Sequence, residues 1–217
     1  VTGVQTFPLP ICAVSGVVAV DEEPGRSREL RARVVVNATG VFSDELRRMD
    51  DPALPGMIAP AQGVHLVLDR SFLAGDTAIM VPHTDDGRVL FVIPWQDRVL
   101  VGTTDTEVPR ADIEPRPLAE EIGFILRNAA RYLVKDPTES DCLSVFAGLR
   151  PLVREQEAPR PRGRLRGRSQ PGHSKSISRE HAVLVSQSGL VSVVGGKWTT
   201  YRKMAQDTVD DAVAVGG

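Results

Sequence analysis

The sequence predicts a mixed α/β (α+β) fold, and three observations carry that reading. Leu190, Val191, Val193 and Val194 form a β-branched-rich apolar run that passes through Gly195-Gly196-Lys197 into a helical pattern, a strand–turn–helix unit. Val34-Val35-Val36 is a run of consecutive valines, as in a strand buried on both faces of an α/β sheet. Between residues 60 and 105, short apolar runs follow one another too closely for crossover helices, so that part must be antiparallel.

Taken in order, Ile11 to Val20 reads as a strand containing Gly16, and the polar stretch Asp21 to Arg28, with Pro24-Gly25, as a turn. A second strand, Ala32 to Val36, runs into Asn37-Ala38-Thr39-Gly40. Ser43 and Asp44 can open a short helix through Leu46 to Met49, which Asp50-Asp51-Pro52 ends. Strands are then expected at Val64–Leu68, Ala78–Val81, Val89–Trp95 and Val99–Val101, the last two joined as a hairpin across Gln96-Asp97. Pro117 to Val134 is the best helix: Leu118, Ile122, Ile125, Leu126, Ala129 and Leu133 share one face. Pro117 suits its first turn, Glu120 and Glu121 suit its positive end, and Asp136-Pro137 stops it. It reads as a helix packed on the sheet, with no chemistry assigned.

Cys142 to Leu149 is a further strand leading into Arg150-Pro151-Leu152. From Arg154 to His173 there are six arginines, three prolines and three glycines, with almost nothing to bury, so that segment is expected to be a mobile loop. A last hairpin, Ala182–Val185 and Leu190–Val194, turns at Gln187-Ser188-Gly189. The closing helix places Tyr201, Met204, Ala205, Val209, Ala212 and Val213 on one face, with Thr199 and Thr200 available to cap it.

Composition excludes several classes. With 41% hydrophobic and 25% charged residues the 217-residue chain can build a real core, and a net charge of -2 argues against a nucleic-acid or membrane-surface field. Cys12 and Cys142 form no disulfide framework and no metal-ligand spacing, so no metal is expected. No Gly-x-Ser-x-Gly elbow, phosphate-loop lysine or calcium loop occurs.

What chemistry there is gathers around strand ends. Arg150, Arg179 and Lys197 lie at or near them, and arginine presents a planar fork matching a phosphate or carboxylate at two points. Each cation taken alone is an ordinary solvated side chain. His65, inside an apolar strand, reads first as a hydrogen-bonded core histidine. Gly195-Gly196 before a helix start brings backbone N–H groups and a positive dipole end within reach of negative charge; an ordinary strand–turn–helix would use the same residues.

Six motifs then occur in order: Val34-Val35-Val36-Asn37-Ala38-Thr39-Gly40, Ile93-Pro94-Trp95-Gln96, Gly102-Thr103-Thr104-Asp105, Gly148-Leu149-Arg150-Pro151-Leu152, Ser176-Ile177-Ser178-Arg179 and Gly195-Gly196-Lys197-Trp198-Thr199-Thr200-Tyr201-Arg202. From about Arg31 onward the chain resembles the FAD-dependent glycerol-3-phosphate dehydrogenases of the mitochondrial type. The resemblance implies a glutathione-reductase-like, Rossmann-type FAD domain (residues 1–50 and 181–217) interrupted by an antiparallel-sheet substrate domain (residues 51–180). It implies a quinone-linked oxidoreductase of glycerol 3-phosphate metabolism, forming dihydroxyacetone phosphate by hydride transfer to FAD. Ala38, Thr39, Gly40, Gly148, Gly195, Gly196, Lys197, Thr199 and Thr200 would line the cofactor. Arg150 and Arg179 would hold the substrate phosphate, and Lys197 would face the charge of the reduced ring. His65 and Lys197 are both candidates for the base that takes the hydroxyl proton. The resemblance implies a mitochondrial inner-membrane location, or the cytoplasmic membrane in a bacterium, with peripheral membrane association.

Two departures stand out. The Gly-x-Gly-x-x-Gly fingerprint is absent, and the chain opens at Val1 in mid-pattern, so it is expected to be a piece of a longer protein, colourless and inactive by itself. The arginine-rich stretch is longer than the family's link, as a lineage insertion or a retained intron would make it. The alternatives are an amine or amino-acid oxidase of the same flavoprotein class, or an inactive fragment whose basic loop binds anions.

Overall fold

The computed structural model describes residues 13–21, 23, 25–154, 177–178 and 180–217. The chain divides into two units: residues 1–59 with 151–217, and residues 60–150. The second is narrower than the 51–180 segment expected from sequence. Met57, Ile58 and Val153 pack with Val194 in a small core of the first unit, which draws both flanks into it.

In the first unit, β1 (Gly16–Asp21) and β2 (Arg26–Arg31) form an antiparallel hairpin. The expected strand Ala32–Val36 is reduced to β3 (Val36–Asn37). The valines are not buried on both faces either: Val34 and Val35 are half-buried and Val36 is 44% exposed. Among the described residues β3 is an edge strand, paired on one side with a later strand and with no pairing strand on the other, rather than a central strand of a larger sheet. A 3-10 turn, Gly40–Phe42, leads into α1 (Ser43–Asp50). Asp44, expected only to open this helix, is buried. Its Oδ2 accepts from the N–H groups of Met57 (2.8 Å) and Ile58 (2.9 Å), and its Oδ1 from Arg47 Nη1 (2.7 Å).

The second unit is an antiparallel sheet built on the long strand β4 (Ile58–Asp69). β5 (Ile79–Val81), β6 (Leu90–Trp95) and β7 (Arg98–Gly102) follow, and β8 (Thr106–Glu107) pairs with β4. The β6–β7 turn has φ of 42° at Gln96 and 61° at Asp97, the positive pair that lets a two-residue turn match the strand twist. Helix α2 (Ala119–Ala130) is shorter than the expected Pro117–Val134. Leu118 stays extended because its N–H donates to Glu121 Oε2, and at the far end Val134 N–H leaves the helix to bond Phe72 O. Ile125, Leu126 and Ala129 share one core with Val64, Leu66 and Leu68 of β4, the alternate residues that face inward. Each fully buried Leu or Ile here stabilises the unit by about 1.5–3 kcal/mol. β9 (Cys142–Arg154) runs past the expected Leu149, through Pro151.

The chain then returns to the first unit. β10 (Ile177–Ser178) pairs with Val153 and Arg154. The hairpin β11 (His181–Val185) and β12 (Val191–Gly195) is as expected, and β12 lies parallel to β3 in the sheet order β11-β12-β3. A 3-10 turn, Trp198–Thr200, opens α3 (Tyr201–Gly216). Only part of the expected buried face of α3 turns inward: Met204 and Ala212 are partly buried, Tyr201, Ala205, Val209 and Val213 are exposed, and Asp207 and Thr208 face inward in their place. The cause is local. Met204 occupies the recess left by Gly196, and Asp207 Oδ2 bonds His181 Nε2 at 2.9 Å, so these contacts fix the helix rotation. The arginine-rich stretch beyond Arg154, to His173, lies outside the described residues, as does Arg179.

Candidate functional site

Two groups of residues hold the candidate chemistry, one in each unit. In the second unit, Gly63 and His65 on β4 and Phe146, Gly148 and Arg150 on β9 alternate onto the sheet face opposite the α2 core. The Arg150 guanidinium lies directly over Gly63: a Cβ there would sit 2.6 Å from Arg150 Cζ. Its Nη1 donates to Thr104 O at 3.0 Å and to Asp105 Oδ1 at 3.3 Å, and its Nη2 donates to Thr103 Oγ1 at 3.1 Å. Arginine carries five N–H donors, so these bonds fix the plane of the fork and leave donors over.

His65 is half-buried on the same face. It lies across from Gly102, where a Cβ would come within 2.6 Å of His65 Nε2, and it stacks on Phe146 with ring centroids 5.2 Å apart. Burial, and then the Arg150 charge, push its pKa below the ordinary value of 6.5. The imidazole is therefore neutral at neutral pH and able to accept a proton. Gly148 has open space where a side chain would be.

In the first unit, the turn after β3 is organised by Asn37, which is fully buried. Its Nδ2 donates to Ser43 O (3.0 Å) and Ser192 Oγ (3.3 Å), and its Oδ1 accepts from Thr39 N (3.3 Å) and Thr39 Oγ1 (2.7 Å). This positions Ala38, Thr39 and Gly40, the last at φ 60° with nothing within 4 Å of a Cβ position. Gly195 (φ 70°) and Gly196 (φ 81°) admit only glycine comfortably: a Cβ would meet Glu180 O at 2.5 Å in the first and Met204 Sδ at 2.5 Å in the second. Lys197, Thr199 and Thr200 are exposed. The threonines do not cap α3. Thr200 Oγ1 instead donates to Lys197 O at 3.0 Å, tying down the 3-10 turn, and among the described residues no side chain caps the first turn of α3.

A family model described as FAD dependent oxidoreductase matches residues 4–202, nearly the whole chain. The chain belongs to the FAD-dependent oxidoreductase family. Among curated members of this kind, the mitochondrial glycerol-3-phosphate dehydrogenase of Schizosaccharomyces pombe is 38% identical over 211 residues, covering 92% of this chain and 32% of that protein. The human mitochondrial glycerol-3-phosphate dehydrogenase is 39% identical over 202 residues, covering 92% of this chain and 26% of that protein. The oxidoreductase chain thus spans about a quarter to a third of the curated relatives it matches. Its fold matches the glycerol-3-phosphate dehydrogenase of Bacillus halodurans, solved with FAD, at a TM-score of 0.78 and 33% identity, covering 98% of this chain and 38% of that one. The L-alpha-glycerophosphate oxidase of Mycoplasma pneumoniae shares the fold at a TM-score of 0.58 and 15% identity.

Of the residues singled out from the oxidoreductase sequence, His65, Gly148 and Arg150 share one sheet face. Ala38, Thr39 and Gly40 share one turn, and Gly195, Gly196, Lys197, Thr199 and Thr200 another. The sequence reading gave no role to Gly63, nor to Asn37, Gly102, Thr103, Thr104 and Asp105, which stood only as members of its motifs. Glycines inside strands were the available signal, since they mark close approach by another group.

Proposed function

We propose that the full-length protein carrying this chain oxidises sn-glycerol 3-phosphate to dihydroxyacetone phosphate, with FAD as the hydride acceptor and quinone as the final electron acceptor. The observation that carries this reading is Arg150, a guanidinium held flat over Gly63 beside a neutral histidine. The names of the relatives favour a phosphate over the carboxylate of an amino-acid oxidase as its ligand.

The residues of the first unit fit a flavin nucleotide. Gly40, Gly195 and Gly196 bring backbone close without a Cβ, and the 3-10 turn Trp198–Thr200 opens α3 with its positive dipole end beside Lys197. FAD supplies the two-electron acceptor for the substrate C2 hydrogen. Ala38, Thr39, Gly40, Gly148, Thr199 and Thr200 contact it in this reading, and Lys197 with the α3 N-terminus offers positive potential to an electron-rich ring. Arg150, joined by Arg179, holds the substrate phosphate and so orients the C2 hydroxyl. Between the two candidate bases, His65 is the better supported, because burial and Arg150 keep its imidazole unprotonated. The names of the curated relatives support a mitochondrial location, with the inner membrane as the site of quinone reduction. Among the described residues no helix is long and apolar enough to cross a membrane, and peripheral association is proposed.

The test uses the full-length enzyme with FAD bound. Arg150→Ala should lower kcat/KM for glycerol 3-phosphate by about ten- to a hundredfold, the worth of a charge-assisted contact of about 1.5–3 kcal/mol. Arg150→Lys should recover only part, because a point charge cannot reproduce the fork. Glycerol, which lacks the phosphate, is the control: equal losses on both substrates would show that Arg150 does not read the phosphate.

A further inference from the structure

Helix α2 carries one residue that packing does not explain. Glu121 is only 4% exposed, yet it sits in the first turn of a helix whose inward face, Asn128 apart, is apolar. An N-terminal cap needs one carboxylate oxygen and no burial. Here Oε2 accepts from Leu118 N–H at 3.0 Å, as a cap does, and also from Gln62 Nε2 at 2.7 Å, while Oε1 accepts from Thr104 Oγ1 at 2.8 Å. Burial pushes this carboxyl up. The bonds from Leu118, Thr106, Gln62 and Thr104 outweigh it, leaving the pKa below its ordinary 4.5, so Glu121 is a buried anion at neutral pH.

The route from that anion leads to Arg150. Thr104 Oγ1, which donates to Glu121, accepts from Val64 N–H at 3.0 Å, next to Gly63. The Thr104 hydroxyl thus donates on one side and accepts on the other, which fixes the rotation of its side chain. Its carbonyl oxygen takes Arg150 Nη1, and the hydroxyl of the preceding residue, Thr103, takes Nη2. Glu121 therefore anchors the short segment whose oxygens set the plane of the guanidinium, on the opposite side of the sheet from the ligand.

We propose that Glu121 is a positioning residue for the phosphate-binding site: through Thr104 it holds the Thr103–Thr104 segment that aims Arg150. This rests on the assignment of Arg150 to the substrate phosphate. In Glu121→Gln the amide NH2 must face one of the donors that the carboxylate now accepts. Its least costly orientation turns the NH2 to Thr104, whose hydroxyl then loses its acceptor.

The experiment compares Glu121→Gln, Thr104→Val, the double variant, Arg150→Ala and Ile125→Val in the full-length, FAD-loaded enzyme. The readouts are KM and kcat with glycerol 3-phosphate, activity with glycerol, flavin content and thermal midpoint. Ile125 is buried in the α2 core and controls for a loss of helix packing. Glu121→Gln and Thr104→Val should each raise KM for glycerol 3-phosphate about tenfold, as loss of an outer-sphere partner commonly does. The double variant should be no worse than the worse single one, because both act along one path. Ile125→Val should lower the thermal midpoint and leave KM unchanged. Should Glu121→Gln fail to fold, Thr104→Val decides. If either folded variant keeps KM within about twofold of the wild type while Arg150→Ala raises it, the positioning role is wrong and the phosphate assignment stands. Equal losses with glycerol, or a KM that also rises in Ile125→Val, overturn the positioning role too. If Arg150→Ala leaves KM unchanged, the phosphate assignment falls and the positioning role with it.

Discussion

Gly63→Ala separates a structural glycine from a functional one. The new methyl carbon would lie 2.6 Å from Arg150 Cζ, whereas carbon atoms rest at about 3.5–4.0 Å. One of the two must retreat by about an ångström, and the β4 backbone is held on either side of Gly63 by pairing with β8 at Ala61 and Gln62 and with β7 from His65 onward, while the guanidinium is the end of a flexible side chain. The arginine moves. The stability cost is small, because the clash is relieved by a side-chain rotation. Alanine also restricts the unfolded chain, worth about 0.4–1 kcal/mol in favour of folding, against about 1 kcal/mol for each hydrogen bond that Arg150 loses. The net change should stay within about 2 kcal/mol. Activity should fall much further, since about an ångström of misplacement at a binding group can cost on the order of a hundredfold. In the full-length enzyme the expected result is a large rise in KM for glycerol 3-phosphate with a thermal midpoint shifted by only a few degrees. A variant that keeps its KM, or that loses activity only in step with its folded fraction, would refute the reasoning.

Two further outcomes follow from the same geometry. Because His65 stays neutral in the folded protein to a lower pH than in the unfolded chain, stability should fall as pH drops below 6.5 and level off below the folded-state pKa; His65→Asn should flatten that slope in thermal midpoints measured across it, and an unchanged slope would exclude this origin. Asn37→Ala should cost about 2–3 kcal/mol in denaturant unfolding, because it strands buried partners on Ser43 and Ser192, and a cost near zero would show that the turn does not depend on Asn37.

Much of the second unit was legible in the sequence because its strands are short apolar runs and one helix carries a clear apolar stripe. The β6–β7 turn was readable from the two polar residues between such runs. What escaped were positions where a polar contact overrides apolar patterning. Helix α3 has a tidy apolar stripe from Tyr201 to Val213, yet only its Met204, seated against Gly196, and Ala212 are partly buried, and the polar Asp207 sets the rotation through His181. Glu121 looked like a surface charge complementing a helix dipole, since nothing local marks it as buried. Its partners are Gln62 and Thr104, 59 and 17 residues away. The site was legible as a set of separate motifs, and the pairing of Arg150 with Gly63 was not, because it depends on how two distant strands meet.

The division of the chain also sets an order of assembly. Residues 60–150 are one continuous stretch carrying a complete core, so that unit can close on itself soon after its last strand leaves the ribosome. The first unit cannot: β3 meets its partner β12 only where Val36 pairs with Val191. Strand β3 must wait, unpaired, for the interval in which the rest is made, and the loop it must close is among the longest in the molecule. Vectorial synthesis therefore favours a finished second unit before the first can be completed. A nascent chain stalled shortly after Arg150 would carry the former without the latter.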